Sequence, residues 1–133
     1  AIIRLCSCFN VTLEIIEPCG FFINDKRLKR VAMDYLKETK IKTYKSYKDF
    51  LNKKKNSRVI LMTTKAQKKY NNFKFKKKDT ILFGRESSGV PKIVHKNSNQ
   101  RLRIPIKKNV RSLNIGMAVA ITLSEALRQN SKL

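Results

Sequence analysis

Two glycines bracket a short polar run in Phe83-Gly84-Arg85-Glu86-Ser87-Ser88-Gly89-Val90-Pro91. Such a turn bends tightly and lets a ligand approach its amides, and binding residues concentrate on loops of this kind. No Lys-Ser or Lys-Thr follows the second glycine, so this is not a phosphate-gripping loop. Nor does it carry the three ordered glycines of a dinucleotide fingerprint. An ordinary strand-to-helix connection, with Pro91 in the first helical turn, is the alternative. A second stretch is Ile104-Pro105-Ile106, followed after a basic loop by Ser112-Leu113-Asn114. Ser112 is of the type that caps a helix. Asn114 is a weak helix former in a first turn, which points to another duty. Arg4, on one face of a helix, says little by spacing alone.

Metal and imidazole chemistry lack the partners they need. His95 stands in a lysine-rich stretch with no cysteine or carboxylate beside it. Cys6, Cys8 and Cys19 offer neither paired bridges nor ligand spacing, and reduced, partly buried thiols of an intracellular chain are expected. No metal is expected.

The elements that would position these loops alternate. Apolar patterning predicts a helix over Ile2–Asn10 and a strand over Thr12–Ile16, then a break at Pro18 and Gly20 and a basic helical turn over Asp25–Met33. A strand over Ile41–Tyr44 follows. Ser46 then caps a helix running to Leu51, with Asp49 as its capping-box acid. Val59–Met62 and Thr80–Phe83 are strands, joined by a lysine-studded connection in which Tyr70, Phe73 and Phe75 are interleaved. A helix over Val90–Lys96, a strand over Leu102–Ile104 and a long amphipathic helix over Leu113–Gln129 complete the chain. The last shows Leu113, Met117, Ala120, Leu123 and Leu127 at three- and four-residue intervals. Strands alternating with helices imply an α/β fold with a mainly parallel sheet. Ligands of such sheets bind at the carboxyl ends of the strands. That rule selects Thr63-Thr64-Lys65, Gly84-Arg85-Glu86 and Pro105-Ile106.

The 133 residues suit one domain, 1–133, and no apolar run approaches the length of a membrane span. With no basic-then-apolar leader pattern, a soluble cytoplasmic protein is expected. Thirty-one basic residues against nine acidic ones leave a formal charge of +22, which favours a polyanionic partner such as nucleic acid. A genome-wide drift toward lysine would produce the same excess, and charge alone identifies no reaction.

Taken in order, several short motifs resemble one family. They are Glu17-Pro18-x-Gly20-Phe21, Asp25-Lys26-Arg27-Leu28-Lys29-Arg30, Asp34-Tyr35, Thr63-Thr64-Lys65, Phe83-Gly84-x-Glu86-x-x-Gly89-x-Pro91, Arg103-Ile104-Pro105 and Ser112-Leu113-Asn114. The same motifs occur in the YibK-like (TrmL) tRNA methyltransferases, in the SpoU branch of the SPOUT superfamily. The resemblance spans essentially the whole chain. It implies a SPOUT-type, mainly parallel sheet flanked by helices with a C-terminal trefoil knot. It also implies a homodimer that uses S-adenosylmethionine to methylate the ribose 2′-hydroxyl of the tRNA wobble nucleotide, a cytidine or modified uridine at position 34.

The resemblance places the cofactor on Met62, Gly84, Gly89, Ile104, Ile106, Ser112 and Leu113. Met62, Ile104 and Ile106 would cover the adenine, while backbone groups beside Gly84 and Leu113 would meet its polar edge. Arg4 would stabilise the developing alkoxide, since arginine stays protonated and is a poor base. Glu86 and Asn114 would orient loop and substrate, and Ser112 would contact cofactor or ribose; a purely structural Glu86 is the alternative. Lys26, Arg27, Lys29, Arg30, Lys107, Lys108 and Arg111 are the expected tRNA contacts.

Two departures from the family are visible. The chain begins just after the place of the family's first strand and its Asn-x-Gly turn, and Ser124 and Leu127 stand where relatives often carry Tyr and Trp at the dimer contact. Two rival functions remain: a same-fold 2′-O-methyltransferase acting elsewhere on tRNA or on ribosomal RNA, and a non-catalytic RNA-binding protein. Pure backbone binding does not need the ordered Gly84, Glu86, Gly89, Ser112 and Asn114 motifs.

Overall fold

The computed structural model describes residues 1–17, 40–84 and 89–130. It divides into two compact units, Ala1–Lys53 and Lys54–Leu133. Among the described residues no helix is long and apolar enough to cross a membrane.

In the first unit, α1 (Ile2–Phe9) turns Ile3 and Cys6 into the core and leaves Arg4 and Cys8 exposed. Cys6 and Cys8 are free thiols that diverge as their two-residue spacing requires, and burial pushes the Cys6 thiol up. Asn10, with φ 54°, ends the helix in the left-handed conformation that asparagine tolerates. Strands β1 (Leu13–Ile16) and β2 (Ile41–Tyr44) pair in parallel, Leu13 against Ile41 and Ile16 against Tyr44. Helix α2 (Tyr47–Lys53) starts with the expected capping arrangement. Asp49 N donates to Ser46 Oγ (3.1 Å), and Lys45 N donates to an Asp49 carboxylate oxygen (3.2 Å). The helix runs two residues past its expected end and buries Phe50 edge-on against Tyr44.

Tyr44 donates its hydroxyl to Glu14 Oε1 at 2.5 Å across this small sheet. Burial, that bond and the nearby charges of Glu14 and Asp49 push Tyr44 up to about 12. The native value lies above that of a free tyrosine, about 10. The protonated ring's contribution to stability is therefore complete below pH 10 and lost as pH rises through 12. Alkaline titration followed by tyrosinate absorbance is expected to show Tyr44 ionising late, and Glu14→Gln is expected to bring it earlier. Simultaneous ionisation of all rings below the melting transition would contradict this.

In the second unit, β3 (Val59–Met62) is buried along its whole length and lies between β4 (Thr80–Phe83) and β5 (Gln100–Leu102), both parallel to it. The continuous Val-Ile-Leu-Met run is what a strand covered on both faces requires. Ile60, Met62 and Leu102 form a core with Phe73 and Phe75, whose rings meet edge-on at 5.0 Å. Each such side chain contributes about 1.5–3 kcal/mol. A 3-10 turn at Tyr70–Asn72 delivers the two phenylalanines. Helices α3 (Lys92–Asn97) and α4 (Ile115–Gln129) complete the unit.

Three expectations shift. The last strand lies at Gln100–Leu102 rather than Leu102–Ile104, because β3 ends at Met62, opposite Leu102. From there Arg103 pairs with the 68–70 segment instead: Arg103 N donates to Lys68 O, and Tyr70 N to Arg103 O, both at 2.9 Å. Pro91 caps α3 from outside rather than sitting in its first turn. Helix α4 begins at Ile115, not Leu113, and its buried stripe is Val119 and Thr122, with Ala126 against the core. The predicted stripe is not the buried one, since Leu113 and Met117 are exposed (37% and 62%). The helix is apolar on more than one side, and Thr122 can be wholly buried because its hydroxyl donates to Ala118 O at 2.8 Å.

Candidate active site

Parallel register brings the carboxyl ends of the three strands of the second unit together. Met62 stands opposite both Phe83 and Leu102, so Thr63, Gly84 and Arg103 emerge from one edge of the sheet. Thr63 N donates to Leu102 O (2.8 Å), binding two of these ends to each other. Met62 belongs to the core, and half-buried Ile104 packs against that same cluster. These two predicted cofactor walls are therefore adjacent to one body of apolar side chains.

Gly84 lies directly against Gly89 and Val90. A Cβ on Gly84 would lie 2.6 Å from the Gly89 carbonyl carbon and 2.8 Å from Val90 N, so only glycine permits this approach. Gly89 adopts φ +67° and is exposed. Glu86 lies between them, outside the described residues, as do Lys26, Arg27, Lys29 and Arg30.

Ile106 is half-buried, and beyond it Lys107, Lys108 and Arg111 are all exposed around a left-handed turn at Asn109 (φ 72°). Ser112 is exposed. The cap of α4 is Asn114, whose side chain accepts from Gly116 N at 2.8 Å. The asparagine is thus explained by the helix it starts, and the capping role open to Ser112 falls to it instead. Arg4 belongs to the first unit, on the exposed side of α1.

A clamp at the far end of α4 was not legible from motifs. Gln129 Oε1 accepts from Phe75 N (2.8 Å) while its amide donates to Phe73 O (2.9 Å) and to Glu125 Oε2 (2.8 Å). Bonds from Arg128 and then Gln129 lower Glu125 to about 2. The signal available in sequence was the i,i+4 spacing of Glu125 and Gln129, which helices use everywhere. Beside it, Tyr70, Ala120, Ile121, Ser124, Glu125 and Arg128 line an open hollow of about 420 Å³ that shares no residue with the predicted site. Among the described residues no group of His, Cys, Asp and Glu is placed to hold a metal ion.

The sequence profile of the SpoU rRNA Methylase family matches residues 1–124. The chain belongs to that SpoU methylase family. A tRNA (cytidine(34)-2′-O)-methyltransferase of Beijerinckia indica is 41% identical over 96% of this chain and 81% of its own length. Among solved structures, one described by the 2-OH methylation of C/U34 on tRNA superposes with a TM-score of 0.92 at 30% identity. It covers 99% of this chain and 87% of that one. A putative RNA methyltransferase of Bacillus anthracis gives 0.87 at 36% identity, covering 98% and 85%. The SpoU fold thus accounts for the parallel strands, flanking helices and loop-bearing sheet edge described above.

Proposed function

We propose that this SpoU-family chain methylates the ribose 2′-hydroxyl of the wobble nucleotide of tRNA, using S-adenosylmethionine, as a cytoplasmic homodimer with a C-terminal trefoil knot. The observation that carries this reading is the 41% identity, nearly end to end, with a methyltransferase named for cytidine 34 of tRNA. The family's description mentions ribosomal RNA, but the nearly full-length relatives favour tRNA.

The residues present suit the cofactor. Phe83, which precedes Gly84, and half-buried Ile104 pack on one apolar cluster, so the strand ends that carry them suit a flat apolar face of a ligand. When bound, S-adenosylmethionine supplies an electrophilic methyl carbon. Met62, Ile104 and Ile106 would cover its adenine, backbone groups beside Gly84 and Leu113 would meet its polar edge, and Gly89 and Ser112 would border the pocket. Arg4 would offset the charge that grows on the ribose oxygen, and its fork can hold that oxygen and a phosphate together. Lys107, Lys108 and Arg111 would hold phosphates near the reacting nucleotide, with Lys26, Arg27, Lys29 and Arg30 adding to them. Asn114 would set the direction of the Ser112-Leu113 backbone through its cap on α4, and Glu86 would order the glycine loop. Exposed Ile93, Val110, Leu113 and Met117 are apolar surface of the sort a second copy would cover.

Labelled methyl transfer to unmodified tRNA, mapped by nuclease resistance, is expected at nucleotide 34 and nowhere else. Label at another position, or none, would overturn the reading. In the same assay Arg4→Lys is expected to lower kcat by at least about tenfold, the scale of one lost charge-assisted bond, with cofactor affinity unchanged. Full activity of Arg4→Lys would remove the guanidinium from the mechanism.

A further inference from the structure

Positive charge is unevenly spread along the chain. Lys54–Leu133 holds 20 basic and three acidic residues, a net +17 of the total +22. The two described carboxylates of that unit, Asp79 and Glu125, are both engaged by arginines, Arg58 and Arg128. Lys55, Lys74, Lys76, Lys77 and Lys78 of this unit are exposed.

Five exposed lysines gather at one place: the amino-terminal end of the β3–β4 pair. Lys74, Lys76, Lys77 and Lys78 precede β4, Lys55 precedes β3, and Val59 and Thr80 pair at the strand starts. This end is opposite the edge from which Gly84 emerges, separated from it by the four-residue strands, about 10 Å of backbone plus the loops. The turn carrying the lysines is built, not loose. Asp79, only 4% exposed, takes two bonds from Arg58 (2.8 and 2.6 Å) and one from Lys76 N (2.7 Å). Arg58 also donates to Lys74 O at 3.0 Å, and Asp79 N donates to Lys76 O at 3.1 Å. One part-buried ion pair thus fixes the backbone at Lys74, Lys76 and Asp79, while the lysines themselves are exposed. Ordered backbone with mobile cations on top suits a polyanion, because little order is lost when phosphates arrive.

We propose that this lysine platform binds the phosphate backbone of the RNA substrate outside the anticodon stem–loop, as a second contact remote from the reacting nucleotide. The proposal rests on tRNA being the substrate and adds to it where the rest of that molecule lies. The platform contributes affinity and salt dependence, and nothing to chemistry or to base choice.

The test uses the full chain carrying Lys76→Gln, Lys77→Gln and Lys78→Gln, all exposed positions whose melting temperature should match the parent. Binding of full-length tRNA is expected to weaken about tenfold, and the slope of log affinity against log salt to shrink by about two, the loss of two or three phosphate contacts. KM for full-length tRNA rises in step with kcat unchanged, whereas an isolated anticodon stem–loop is bound and methylated as before. Arginine at the three positions restores the parent values. A control variant, Lys42→Gln, Lys45→Gln and Lys48→Gln, removes the same charge from exposed positions of the first unit and should change affinity less than twofold. An unchanged salt slope in the platform variant would overturn the proposal, leaving the turn as solvated surface or a contact for another protein. So would an equal loss in the control, or an equal loss on the stem–loop. If the parent protein methylates no tRNA at nucleotide 34, the functional reading fails by itself, and the salt slope on full-length tRNA still decides the platform.

Discussion

Gly84→Ala abolishes methyl transfer, by at least about a hundredfold, the penalty for displacing a bound reactant by about an ångström. The added methyl would meet Gly89 C at 2.6 Å, Val90 N at 2.8 Å and Gly89 Cα at 2.9 Å. Carbon atoms settle near 3.5–4 Å, and all three obstacles are backbone, so the loop has to open. Overpacking of this type costs about 1–3 kcal/mol. Moving Val90 also moves Pro91, the cap of α3. Calorimetric titration with S-adenosylmethionine is expected to show no binding to Gly84→Ala, and melting should confirm a folded protein. Gly89→Ala is the comparison. Nothing lies within 4 Å of its added carbon, and only its φ of +67° is strained, at about 1–2 kcal/mol. It should retain measurable cofactor affinity. Equal behaviour of the two variants would mean that loop closure does not matter.

Arg58→Ala carries the largest expected loss of stability, about 1.5–3 kcal/mol, because it leaves the Asp79 carboxylate, 4% exposed, with the Lys76 N–H but without its guanidinium. The guanidinium also lies over the Phe73 ring at 4.8 Å, coupling the ion pair to the core. Arg58→Lys keeps the charge but not the fork that meets both carboxylate oxygens, and should recover only part of the loss. Denaturant midpoints of Arg58→Ala, Asp79→Ala and the double variant test the point. The double variant should cost well below the sum of the singles, and strict additivity would exclude the pair as a unit.

Strands Ile41–Tyr44, Val59–Met62 and Thr80–Phe83 were legible to the residue, because dense β-branched or apolar runs between polar flanks leave a single register available. Ser46 and Asp49 announced their helix for a similar reason: both partners of the cap are local. Where partners are distant, reading failed. The end of β5 depends on Arg103 exchanging β3 for the Lys68–Tyr70 segment, which no local pattern encodes. Helix α4 has apolar residues on several sides, and the side that goes inside is set by tertiary packing, with Ala126 against the Phe73 and Phe75 cluster, Thr122 buried and Met117 exposed. For the site, the glycine spacing predicted a tight turn, and among the described residues its two ends, Gly84 and Gly89, do lie against each other. The motif Ser112-Leu113-Asn114 was visible too, but the division of labour between its two polar residues depended on where α4 begins. The Gln129 clamp was not legible because its main-chain partners, the acceptor Phe73 O and the donor Phe75 N, lie more than 50 positions upstream.

Strand β3 has no neighbour that is near in sequence. Val59 waits for Thr80, and Ile60 for Gln100, so the centre of the sheet is completed only by residues 21 and 40 positions later. Closing loops of that span precedes any reward from pairing. On the ribosome, an apolar Val-Ile-Leu-Met segment is therefore synthesised well before the strands that cover it. Refolding should be slow for so short a polypeptide, and the interval before closure is when this chain is most exposed to aggregation.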